Sequence, residues 1–211
     1  MSDRPGPCGH QGVGSVIRRM LALAAWALAG CAIQLAPAYD ESLVTGLNEV
    51  NQQIMELYAS TSMGVAASTF PSRVDRYNRV IGKLDALALQ SANRPVPDTK
   101  VQERVQQAVK TLPEAGGTMR AERMQAALNE AAEACAKVRN VRSFQVDLPE
   151  PPAQGYVPAS AHALTQISRG ITLLRDTDCA NGLTAGSVAL NRGFVTHYMD
   201  QALTYETYLK D

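Results

Sequence analysis

A chain of 211 residues, 45% hydrophobic and 19% charged, carries enough apolar content for one packed core and lies far from the composition of a disordered chain. Its 20 basic and 20 acidic residues cancel, which argues against a nucleic-acid partner and against attraction to an anionic surface by net charge. Aromatic residues make up only 5%, and side chains that lose little rotamer freedom in a helix dominate, so the predicted fold is all-α: a bundle of about five to six helices with a Pro-rich loop.

The first informative segment is Ile17-Arg18-Arg19 followed by the apolar run Met20–Ala29, the order of charge and short apolar stretch found in export signals. The run falls short of the roughly 20 apolar residues that a permanent membrane span needs. It ends in Leu28-Ala29-Gly30-Cys31, which resembles the lipobox of bacterial lipoproteins. The resemblance covers the first 31 residues, and the family of the remaining domain is not recognised. It implies cleavage between Gly30 and Cys31, acylation of the Cys31 thiol, and a membrane partner engaged through that lipid. One acyl chain holds a protein only marginally, whereas two or three make the anchor durable. Ala32 stands where an aspartate would signal inner-membrane retention, so the implied address is the outer membrane, facing the periplasm. The alternatives are a plain secretory signal cut near Ala36 or Ala38, and a buried helix in which Cys31 is a small hydrophobe. The expected organisation is a signal peptide over 1–30, a lipidated tether over 31–38 and one helical domain over 39–211.

Beyond the tether, Leu43, Leu47, Val50, Ile54 and Leu57 alternate four- and three-residue steps, which predicts a helix over Asp40–Ser60 with Glu41, Asn48, Glu49, Gln52 and Gln53 on its wet side. Gly64 to Ser68 reads as a connection. Pro71, Ser72 and Asp75 resemble a capping box that starts a second helix, whose stripe is Val74, Tyr77, Ile81, Leu84 and Ala88, widened by Val80 and Leu87. Arg94-Pro95-Val96-Pro97 ends it, since proline lacks a donor and restricts the residue before it. A short third helix follows Asp98 or Thr99, with Val101, Val105, Ala108, Val109 and Leu112 apolar. A fourth runs over Arg120–Val138 through Met124, Leu128, Ala131 and Cys135. The four prolines of the stretch 140–159 mark a long loop. A fifth helix follows Ser160, with Leu164, Ile167, Ile171 and Leu174, and a polar turn at Asp178–Gly186 leads to a last one carrying Val188, Phe194, Val195, Tyr198, Ala202, Tyr205 and Leu209. The tyrosines Tyr198, Tyr205 and Tyr208 fall along one face and are expected in the core, the alternative being an interface.

Cys135 and Cys179 are the two cysteines left after Cys31, and in an oxidising compartment they are candidates for a disulfide; the alternative is two buried, unreactive thiols. No C-x-x-C spacing is present. His162 and His197 stand apart from any metal-binding pattern, so no metal site and no cofactor is predicted. No nucleophile elbow, phosphate loop or dinucleotide fingerprint follows Cys31, so no catalytic residue is named and no enzyme is expected. The sequence therefore points to a lipid-anchored envelope protein of structural or interaction type, with an envelope protein as partner. The competing readings are a periplasmic small-ligand-binding helical domain and an envelope enzyme with an unfamiliar site.

Overall fold

The apolar stripe that begins at Leu43 shapes the first helix of the structure, a computed structural model that describes residues 36–95, 117–140 and 157–210, with the backbone alone over 117–120. The signal segment, Cys31, the expected third helix and residues 141–156 of the Pro-rich loop lie outside the described residues. Those that are described belong to one unit, Leu35–Asp211.

Helix α1 spans Glu41–Thr61, and all five stripe residues are fully buried. Each buried aliphatic side chain of this kind stabilises the fold by about 1.5–3 kcal/mol relative to leaving it in water. Asp40 caps the helix by accepting from the backbone N–H groups of Ser42 and Leu43 at 2.9 and 3.2 Å, which satisfies two of the donors a helix start leaves open. Gln90 donates to the other oxygen of Asp40 at 2.9 Å and so ties the start of α1 to the end of the next helix.

That next helix, α2 (Val74–Ala92), begins differently from the capping box read in the sequence. A 3₁₀ segment over Ala67–Ser72 contains Pro71, and the Ser72 hydroxyl donates to the Thr69 carbonyl at 2.8 Å inside that tight turn. Arg73 occupies the cap position without a side-chain cap. The hydroxyl is consumed locally because serine bonds its own neighbouring backbone readily.

Helix α3 spans Gly117–Arg139, α4 spans Ala159–Asn181 and α5 spans Ala185–Tyr208. The described residues are thus all-α, as the sequence predicts, and their one pairing of extended backbone is the antiparallel bridge Val65–Leu183. Helices α1, α2, α4 and α5 close a ring in which each packs on the next, and among the described elements α3 packs on α4 alone. The central helix is α4, since it meets α2, α3 and α5. Its buried residues include Ser160, Ala161, Ala163, Ser168, Gly170 and Thr172 beside the leucines and isoleucines, and such small side chains let three neighbours approach closely. At Gly170 an added Cβ would meet Phe194 and Val195 of α5 at 3.0 Å.

The core joins Leu43, Leu47, Val50, Ile54 and Leu57 of α1, Tyr77, Val80, Leu84 and Leu87 of α2, Leu164, Ile167 and Ile171 of α4, and Val188, Val195, Met199 and Ala202 of α5. Two expectations need correction. Of the three α5 tyrosines, Tyr198 packs partly buried against the core and Tyr205 is partly buried, but Tyr208 is 76% exposed, because the seam of α5 runs through Val195, Met199, Ala202 and Glu206. Val138, the last residue of the apolar segment read over Arg120–Val138, is 64% exposed one position before the helix end, whereas Leu128 and Ala136 are buried.

Candidate functional site

The chemistry-bearing side chains gather at the two ends of the bundle. At the C-terminal end of α4, Asp178 is fully buried and receives a fork from Arg73: Nη2 donates to Oδ1 at 2.7 Å and Nε to Oδ2 at 2.9 Å. The Tyr77 hydroxyl adds a third donor to Oδ2 at 3.1 Å. This two-pronged geometry is the strong form of an arginine–carboxylate contact. The hydrogen bond from Arg73 to Asp178 raises the guanidinium pKa further, and burial, followed by the neighbouring carboxylate, pushes the Tyr77 phenol up. The donors and acceptors here satisfy one another, and the cluster locks the start of α2 to the end of α4.

One residue further on, Cys179 is disulfide-bonded to Cys135 of α3, with the Cα atoms 5.3 Å apart. The chain leaves α4 at Gly182, whose φ of 73° and ψ of −175° lie where side chains with a Cβ are strained, and an added Cβ would stand 2.4 Å from the Val65 carbonyl oxygen. Bridge, ion pair and disulfide therefore meet at one junction.

At the opposite end, Arg94 follows the last turn of α2 and Glu206 sits near the end of α5. Nη2 donates to Oε1 at 2.6 Å and Nη1 to Oε2 at 2.8 Å, with both side chains buried. Nη2 also donates to the Ser160 hydroxyl at 3.1 Å, and Nη1 to the Ala38 carbonyl at 3.3 Å. Ser91 and Ser160 share a hydrogen bond of 2.7 Å beneath the pair. One guanidinium thus joins the segment before α1 and the helices α2, α4 and α5.

His162 of α4 and His197 of α5 flank the ring of Tyr198, with centroids 6.4 and 5.4 Å away. Both histidines are exposed; partial desolvation, followed by the charge of Arg169, lowers the pKa of His162. Gln201 bonds the ring of His197. Among the described residues, no three His, Cys, Asp or Glu side chains cluster as a metal site. Of the site residues expected from sequence, Gly30 and Cys31 lie outside the described residues, and Cys135 and Cys179 are brought together. The two buried ion pairs were not anticipated: their partners stand 105 and 112 residues apart, and neither charge lies in a motif. A charged side chain at an element boundary, where a core stripe has just ended, is the one local hint. No family model, curated protein or solved structure matches the chain.

Proposed function

We propose that the protein is a lipid-anchored component of a bacterial cell envelope, held by acyl chains on Cys31 and acting as a structural or interaction module. The observation that carries this reading is the Leu28-Ala29-Gly30-Cys31 sequence after a basic and then apolar stretch. The Cys135–Cys179 disulfide supports it, since such bonds form and persist in oxidising compartments such as a periplasm. The non-catalytic part of the reading draws on the buried ion pairs, in which Asp178 and Glu206 are fully committed to Arg73 and Arg94. The ring of packed helices gives such a module a rigid body on which to present its exposed side chains, among them Met63, Leu190 and Tyr208.

The test is metabolic labelling of the full-length chain with tagged palmitate in a bacterium, beside Cys31→Ser. Label in the wild type that disappears in the variant, together with a shift of the variant out of the membrane fraction, is the expected result. An unlabelled wild-type chain would sink the anchor reading.

A further inference from the structure

Among the described helices, α3 is attached to the bundle in its own way. Within the described residues it packs on α4 alone, its buried side chains are Leu128 and Ala136, and neither belongs to the main core, which Cys135 touches at its edge. The side of α4 that carries Cys179 repeats at seven-, eleven- and eighteen-residue steps back through Thr172, Ser168 and Ala161, positions that share one helical face. These residues are buried, yet they are hydroxyls and a methyl rather than large aliphatics, and Ser168 already donates to Asp85 of α2 at 2.6 Å. Water can solvate that face at small cost, whereas it could not solvate the leucine-lined interior of the ring.

From this we propose that the Cys135–Cys179 disulfide is a redox-operated clasp: its reduction frees α3 from α4 while the ring of α1, α2, α4 and α5 stays folded. The reductant is a dithiol, either a small molecule or a C-x-x-C protein. One of its thiolates attacks Cys135 Sγ, the sulfur of the half-buried partner, because Cys179 is only 3% exposed. The Cys135–Cys179 bond breaks, a mixed disulfide forms on Cys135, and Cys179 leaves as a thiolate that takes up a proton. The second thiol of the reductant then attacks its own bridged sulfur and releases Cys135 as a thiol. Two electrons and two protons pass from the dithiol to the protein, and the reductant ends as a disulfide. This inference concerns the folded domain and stands independently of the lipid anchor.

The experiment uses the full chain in detergent, oxidised or treated with dithiothreitol and alkylated, with amide hydrogen exchange read helix by helix. Reduction is expected to speed exchange across Gly117–Arg139 by about tenfold or more, while peptides from the other four helices keep their protection. The Cys135→Ser/Cys179→Ser double variant should show the same pattern without reductant. Unchanged protection of α3 would overturn the clasp, as would simultaneous opening of all five helices, or a native chain whose two thiols prove free on mass mapping. A dithiol protein with its second cysteine replaced by serine should be trapped on Cys135; trapping on Cys179 would overturn the order of attack.

Discussion

The buried carboxylates of Asp178 and Glu206 are each held by an arginine fork, and the cost of breaking one is larger than its net contribution when intact. Removing one partner leaves the other desolvated and alone, a penalty of about 3–5 kcal/mol. Asp178→Ala should therefore lower the free energy of unfolding by about that amount in urea titrations, while Tyr77→Phe, which deletes one of three donors to the same carboxylate, should cost about 1 kcal/mol. Asp40 acts at the surface: hydrogen bonding from Ser42, and then from Gln90, holds its pKa below the ordinary value of 3.8. A carboxylate whose folded pKa is depressed contributes stability above its unfolded pKa and loses it as pH falls through the lower folded value. Asp40→Asn should flatten that part of the acid limb in a series of denaturation midpoints, and Asp40→Ala should cost about 1 kcal/mol as a lost cap at neutral pH. For His162 the folded pKa lies below 6.5, so the unfolded chain takes the proton first. Stability should then fall as pH drops from about 6.5 toward the folded value, and His162→Asn should remove that step. Little of this was legible in the sequence, where Arg73 and Asp178, or Arg94 and Glu206, are unlike charges with a hundred residues between them.

At the level of elements the sequence is far more explicit, because a helix that faces a core must repeat its apolar residues near every 3.6 positions. The stripe from Leu43 to Leu57 places α1 to within a residue at each end, and α2 stops at Ala92, just ahead of the Arg94-Pro95-Val96-Pro97 stretch. Starts and stops depend on backbone detail and are less visible. The Ser72 hydroxyl is taken by the 3₁₀ turn, while the capping box of α5, in which Thr184 and Ser187 exchange hydrogen bonds of 3.1 Å, straddles the end of a stretch that reads only as a polar turn. The connection between α4 and α5 depends on Gly182. Gly182→Ala should cost more than the roughly 1–3 kcal/mol of its backbone strain, since the new methyl also meets a fixed carbonyl, and the expected readout is a lower thermal midpoint with the helical signal otherwise intact.

For the molecule as a whole, composition predicts the helical class and the apolar periods predict which faces are wet, but the ring order of the helices and the eccentric place of α3 follow from long-range packing that periodicity does not encode. Arg94 illustrates what that packing achieves, because it reaches the Ala38 carbonyl ahead of α1 and the Glu206 carboxylate near the end of α5 at once. For a chain anchored at Cys31, tension on the anchor would reach this guanidinium ahead of α1 and pass into the C-terminal helix, sparing α1 from being peeled away turn by turn. Single-molecule pulling from the N-terminus should show the consequence: a higher force for the first rupture in the wild type than in Glu206→Gln, with the later unfolding of the remaining ring unchanged.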